Sequence, residues 1–371
     1  MKKMIKLSLV AAVAVAGLST TASAVNMAEW AKNTNMTGYV RYRLNNNHEG
    51  ANTNQGADVT EEAKAVMKFT TPVNDSVTAN LKYVSFAETK STDTSANTAV
   101  TEANFVIKAA GATVIAGLQT TASPFFANNG DTRAHGVTAL IPAGPATIAA
   151  AHYTTTVAGN TTGSIGAATF NDISALGAMV KAGPANVDVW YGMGHAGLTK
   201  VDALAVLASA KVGPATVSAH YADKDLGDNT ENQNTQIAAS MKVANVDVTV
   251  AAVTTGKDSG DATLDGDADG KLIWGDAEAF EANLADITAI VVAASAPVGP
   301  VKAGLQYVTV SGTDSATNAG SVKSASELKL SVAYAMSKNF KVSGWYTSGE
   351  TKASTTAVDT SKSRIEFIYK F

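Results

Sequence analysis

Lys211–Asp223 reads KVGPATVSAHYAD, and close variants begin at Pro142 (PAGPATIAAAHYT), Lys181 (KAGPANVDVWYGM) and Ala296 (APVGPVKAGLQYV). Counted from the Pro of each Gly-Pro, one parity of the Pro214 copy is Ala215, Val217, Ala219 and Tyr221, against Thr216, Ser218, His220 and Ala222. From Pro184 the sets are Ala185, Val187, Val189, Tyr191 and Asn186, Asp188, Trp190, Gly192; from Pro300 they are Val301, Ala303, Leu305, Tyr307 and Lys302, Gly304, Gln306, Val308. One face is apolar and ends in Tyr, while the other is mostly small, polar or charged. That is the two-residue period of a strand. Gly-Pro supplies the tight turn, where Pro fixes φ and Gly is permissive.

The spacing carries a second message. Tyr stands seven residues after the turn Pro in these copies, and seven residues at about 3.3 Å each, tilted by about 40°, climb roughly 18 Å. A turn at one membrane face therefore places Tyr near the other, where aromatic girdles form. A soluble sandwich also predicts alternation, but gives no reason for a shared turn-to-aromatic distance. In the Pro145 copy the odd set is Ala146, Ile148, Ala150 and His152, and Tyr153 falls on the opposite parity. Either that turn is one residue longer or the strand carries a bulge.

The same alternation recurs. Ala63, Ala65, Met67 and Phe69 oppose Glu62, Lys64, Val66 and Lys68. Ala103, Phe105, Ile107 and Ala109 oppose Glu102, Asn104, Val106 and Lys108. Leu328, Leu330, Val332 and Tyr334 oppose Glu327, Lys329, Ser331 and Ala333; Ile365, Phe367, Tyr369 and Phe371 oppose Arg364, Glu366, Ile368 and Lys370. Charge on one face and apolar groups on the other fit a wet lumen and a lipid-facing wall. Eight short turns, near 71–76, 109–112, 141–146, 181–185, 211–215, 243–246, 295–300 and 336–339, alternate with longer polar stretches. Those lie near 45–60, 88–98, 121–135, 156–167, 194–200, 223–234, 256–283, 311–324 and 348–361. The count implies an all-β, antiparallel transmembrane barrel of about eighteen strands, with short turns on one side and long external loops on the other.

The whole chain agrees. It has 371 residues, no Cys, 16% charged residues and a net charge of -4. The charge argues against nucleic acid, which needs a basic face, and the absence of Cys excludes disulfides and thiolate metal sites. Residues 1–24 read as a cleaved signal peptide, with basic MKKMIK, apolar LSLVAAVAVAGL and the A-x-A site Ala22-Ser23-Ala24. Residues 25–371 are then the barrel, in one domain. After residue 24 the best candidate for an apolar membrane helix, from Ile287, is too short and is broken by Pro297 and Pro300.

The signal peptide, the turn-and-loop rhythm and the terminal Phe371 behind Ile365, Phe367 and Tyr369 resemble Gram-negative outer-membrane porins. MAEWAKNTNMTGYVRYRL, Met27–Leu44, is similar to the start of the campylobacter-type major outer-membrane porins. The resemblance implies a water-filled channel for ions and small hydrophilic solutes, embedded in outer-membrane lipid and lipopolysaccharide, as a homotrimer and without enzymatic activity or a required cofactor. It also implies that the third long loop, TTASPFFANNGDTRAHG at 120–136, folds inward and narrows the pore, with Asp131, Arg133 and His135 as its titratable residues. The alternative is an ordinary external loop.

Facing that loop, Arg41 and Arg43 share a parity opposite Val40, Tyr42 and Leu44, and Lys64, Lys68, Lys82 and Lys108 fall on inward parity in the next strands. Such a cationic ladder facing acids would set up a transverse field that sorts polar solutes. A second motif is DGDADGKLIWGD, where Asp265, Asp267, Asp269 and Gly270 match positions 1, 3, 5 and 6 of a calcium loop. The backbone carbonyl of Lys271 supplies position 7, and Asp276 stands at 12 where Glu is usual. A structural Ca2+ is the expectation; a solvated acidic loop is the alternative. Two rival functions remain: a surface adhesin or surface-layer protein, which leaves the terminal Phe and inward charges unexplained, and a barrel hydrolase. The five His are scattered and no G-x-S-x-G motif stands in the chain.

Overall fold

The four Gly-Pro turns close hairpins in the same way. Gly144, Gly183, Gly213 and Gly299 have φ of 61°, 59°, 60° and 60°. Each Gly-Pro pair is flanked by a closing cross-strand pair, Ala143↔Ala146, Ala182↔Ala185, Val212↔Ala215 and Val298↔Val301. A Gly with positive φ at the first central position is the requirement of the type II′ hairpin, whose twist matches that of the strands it joins.

In the computed structural model the described residues are 32–49, 58–90, 93–121, 124–125, 133–157, 171–196, 199–227, 230, 232–258, 285–312, 322–353 and 356–371. They form eighteen strands. In order these are β1 (Asn35–Glu49), β2 (Asp58–Asn74), β3 (Val77–Lys90), β4 (Asp93–Ala109), β5 (Ala112–Thr120) and β6 (Arg133–Ala143). They continue as β7 (Ala146–Val157), β8 (Asn171–Ala182), β9 (Ala185–Ala196), β10 (Thr199–Val212), β11 (Ala215–Asp225) and β12 (Asn232–Val243). The last six are β13 (Val246–Thr255), β14 (Ile287–Val298), β15 (Val301–Gly312), β16 (Val322–Ala335), β17 (Phe340–Ala353) and β18 (Thr356–Lys370). Each strand pairs antiparallel with the next, and β1 pairs with β18, so the sheet closes on itself. Gly38 and Phe371 exchange two backbone hydrogen bonds at the seam, at 3.0 and 3.1 Å. Closure leaves no free edge.

The two faces separate as the alternation requires. Leu330 is 51% exposed while its neighbour Lys329 is 9% exposed. Ile365, Phe367, Tyr369 and Phe371 are all exposed on the outer face, as are Leu305, Tyr307, Leu328 and Tyr334. The inward set holds Glu102, Asn104, Gln119, Gln236, Gln306 and Glu327, all buried. A chain that places Leu outside and Gln inside is folded for lipid around it.

Two expectations are corrected. The polar stretches near 88–98, 194–200 and 348–361 are largely strand: β3 runs to Lys90 and β4 starts at Asp93, β9 and β10 meet across 197–198, and β17 and β18 meet across 354–355. Thr, Ser and Glu pair through their backbones as well as apolar residues do, as in Glu350↔Asp359 and Glu88↔Ser95. The Pro145 hairpin, in turn, has neither a longer turn nor a bulge before its Tyr. Register is unbroken from Ala143↔Ala146 to Gly136↔Tyr153, and the shift comes one residue later. Tyr153 simply faces inward, where its hydroxyl meets Thr138 Oγ1 at 2.9 Å. The space comes from Gly136, since a Cβ there would lie 2.8 Å from Tyr153 Cδ1.

Candidate functional site

The charged residues of the inner wall join into a belt across β18, β1, β2, β3 and β4. Arg43 and Glu366 are brought together by the β1–β18 register, and Arg43 and Glu62 by the β1–β2 register. Arg43 Nε donates to Glu366 Oε2 at 2.6 Å, and its Nη1 lies 3.6 Å from Glu62 Oε2. Arg41 Nη2 reaches the same Glu62 oxygen at 3.3 Å. Asn45 Nδ2 donates to Glu62 Oε1 at 3.0 Å and accepts from Arg364 Nε at 2.6 Å. Further round the wall, Lys68 and Lys82 grip the two oxygens of Glu102 at 3.1 and 3.4 Å, and Thr120 Oγ1 donates to Glu102 at 3.2 Å. Lys64 is buried directly opposite Arg41. The carboxylates alternate with the cations and hold them in fixed positions, so the field they present to the lumen is preorganised. The named belt, with Arg41, Arg43, Lys64, Lys68, Lys82 and Arg364 against Glu62, Glu102 and Glu366, is richer in cations.

The other side of the inner wall is apolar. Ala149, Tyr153, Ile173, Trp190, Val201 and Ala205, on strands β7 to β10, pack into one buried cluster with Phe125. Phe125 belongs to the connection between β5 and β6 and is fully buried. Trp190 lies opposite Gly177 in the β8–β9 register, and a Cβ on Gly177 would stand 2.5 Å from the indole ring.

Of the site residues expected from sequence, Arg41, Arg43, Lys64, Lys68 and Lys82 lie on this inner wall. Lys108 shares the parity of inward-facing Glu102 and Asn104 but stands away from the belt, near the end of β4. It is exposed, two residues from the β4–β5 turn, with its N–H bonded to Ser76 O at 2.8 Å. Arg133 and His135 are not in a loop. Strand β6 begins at Arg133, and both residues share the parity of Val137, opposite inward-facing Ala134 and Thr138. The polar composition of 120–136 hid the strand that its last four residues belong to. Asp131 and the whole calcium motif, Asp265, Asp267, Asp269, Lys271 and Asp276, lie outside the described residues. Among the described residues no cluster of three His, Asp or Glu could hold a metal. Glu62, Glu102, Glu366 and Arg364 were missed as site residues, although each shares the parity of the ladder.

Residues 1–155 match the sequence model of the Campylobacter major outer membrane protein family. The barrel superposes on the crystal structure of Pseudomonas aeruginosa OpdQ with a TM-score of 0.71 at 13% identity, covering 91% of this chain and 98% of that one. It is similar to Acinetobacter baumannii OccAB4 with a TM-score of 0.70 at 10% identity over 91% of this chain and 98% of that one. The fold is that of an outer-membrane porin barrel. Pseudomonas aeruginosa OccK2 (OpdF), solved in complex with glucuronate, shares the porin's fold with a TM-score of 0.65 at 12% identity over 91% of this chain and 98% of that one. No curated protein matches the chain in sequence. The porin spans the outer membrane of a Gram-negative cell, with its lipid-facing girdle and its charged belt on opposite sides of one sheet.

Proposed function

We propose that this porin passes ions and small hydrophilic solutes by passive diffusion, sorted by the field of the β18–β4 belt across the narrowest part of the lumen. The observation that carries the reading is the belt itself: charges held by inward-facing Glu62, Glu102 and Glu366 on the wall of a closed barrel. The third loop completes the narrowing, and what supports this is the burial of Phe125 against the inward-facing cluster. A homotrimer, embedded in lipopolysaccharide, belongs to the same reading and rests on the resemblance of the N-terminal segment. The porin does no chemistry; its selectivity is size and charge.

The test is single-channel conductance of the purified protein in a planar bilayer, with the zero-current potential read in a salt gradient. Long-lived steps support the channel. Their absence, from protein shown to be inserted, sinks it and favours an adhesin.

Two outcomes bear on the loops. Phe125→Ala removes a fully buried ring, a loss of about 3–5 kcal/mol where the site cannot collapse. That loss falls on the seating of the third loop rather than on the sheet. Conductance steps are expected to become larger and noisier with no change in heat-modifiable migration; steps identical to wild type would refute the inward seating. If Asp265–Asp276 binds calcium, titration with a chelator is expected to alter gating in the wild-type porin and not in Asp265→Asn/Asp267→Asn. Equal chelator response in both would remove the calcium reading.

A further inference from the structure

Lysine recurs at one offset from the short turns. Lys108, Lys181, Lys211 and Lys242 each stand two residues before the first central residue of a turn, Ala110, Gly183, Gly213 and Ala244. Lys302 and Lys341 stand two residues after Pro300 and Asn339. An even offset also fixes the face. Lys211 shares the parity of Val201, Lys242 that of Gln236, Lys302 that of Val308 and Lys341 that of Thr347, all buried on the inner wall. Lys370 has the parity of Glu366, and its N–H bonds Asn339 O at 2.8 Å, which holds it at the level of the β16–β17 turn. These lysines are exposed and form one tier around the short-turn mouth, on β4, β8, β10, β12, β15, β17 and β18. Among the described residues the acids near this tier are fewer. Asp247 lies opposite Lys242 and 3.4 Å from Lys302, Asp188 stands deeper in β9, and Asp75 is in the β2–β3 turn. At the other mouth Asp202, Asp223 and Asp225 have outward parity, beside inward-facing Val201 and Lys224. The lumenal charge is therefore uneven along the barrel axis, with a cationic tier at one end.

We propose that this tier makes the porin an ion rectifier. The inference rests on the porin reading, since only ions that cross the lumen meet the tier. On β8, β10 and β12 the lysines are two strands apart, about 10 Å, which is about the screening length at 0.1 M salt. Their fields therefore overlap around the mouth and admit anions ahead of cations. When the long-loop side is positive, anions enter the lumen through the tier, and cations arriving from the other mouth are held back by it. Both accumulate in the lumen, and conductance rises. The opposite polarity draws both out, and conductance falls. The belt sorts ions by sign; the tier sorts them by direction.

The experiment records the full-length porin in planar bilayers in KCl and compares the currents at equal and opposite voltages. Lys338→Cys, in the β16–β17 turn, marks the short-turn side. The chain has no Cys of its own, so a thiol-reactive polyethylene glycol too large to cross reports each channel's orientation when added to one chamber. The current is expected to be about twofold larger with the long-loop side positive at 0.1 M KCl, and equal in both directions at 1 M, where the screening length is about 3 Å. Lys181→Gln/Lys211→Gln/Lys242→Gln should bring the 0.1 M ratio close to one. Lys181→Glu/Lys211→Glu/Lys242→Glu should reverse it. All three side chains are exposed, and heat-modifiable migration identical to wild type is the check that the variants fold. Equal currents at 0.1 M, a larger current at the opposite polarity, or a ratio that survives the triple Gln exchange would overturn the rectifier. Absence of KCl steps altogether would instead overturn the porin reading beneath it.

Discussion

Arg43→Gln is expected to move the zero-current potential toward cation preference, with the cation-to-anion permeability ratio rising about threefold at 0.1 M salt. The reasoning is electrostatic. A unit charge about 8 Å from a passing ion in water contributes about 0.5 kcal/mol, with opposite sign for cation and anion, and salt screening roughly halves it. Arg43 holds both Glu366, at 2.6 Å, and Glu62, at 3.6 Å, so its loss also exposes their negative charge to the lumen. Glu366→Gln is expected to move the potential the other way. The exchange Arg43→Glu/Glu366→Arg keeps the pair and the net charge, and should return the ratio to within a small factor of wild type. All three shifts should shrink at 1 M salt, where the screening length is about 3 Å. Zero-current potentials that do not separate the two single variants would place the pair away from the conduction path.

Gly177→Leu is expected to cost about 3 kcal/mol and to disturb gating as well as stability. A side chain at that position meets the Trp190 ring directly, with the Cβ alone 2.5 Å from it. The indole cannot turn aside cheaply because Ala205 faces it from the other neighbouring strand and Phe125 belongs to the same buried cluster. Overpacking of a filled core typically costs about 1–3 kcal/mol, and the branched side chain puts this case at the upper end. The check is denaturant unfolding from lipid vesicles alongside single-channel recording. Trp190→Ala in the Gly177→Leu background should recover most of the stability by vacating the space. A Gly177→Leu porin as stable as wild type would show that the contact with Trp190 yields freely.

The barrel was legible because its rules are local. A Gly at positive φ before Pro, and a two-residue period after it, fix a hairpin whatever the rest of the chain does. All eight short turns fall where Gly-Pro, Gly or Asn and Ser placed them. Polarity misled where it was taken for irregularity: Lys90 and Asp93 or Ala353 and Thr356 end strands that are polar only because they stand clear of lipid. Tyr153 misled because its opposite parity was read as a longer turn or a bulge rather than as a side chain facing the lumen. The signal against that was Gly136, the vacancy opposite it, seventeen residues earlier. The site was half visible for a related reason. Parity tells which face Arg43 occupies, but not that Glu366 is its neighbour, 323 residues away. Only the closing register supplies that pairing, and with it the carboxylates that turn a row of cations into a fixed pattern of charge.

The seam has a consequence for how the molecule comes to exist. Every other strand finds its partner within the next stretch of chain to emerge, but β1 must wait for β18. Until the final residues arrive, the sheet has two raw margins, and a product truncated in its last strand has no means of healing them. The ion pair between Arg43 and Glu366 and the reciprocal bonds of Gly38 and Phe371 thus serve as a check on assembly: only a chain that carries β18 can shut, and only a shut chain can rest in lipid without unsatisfied backbone.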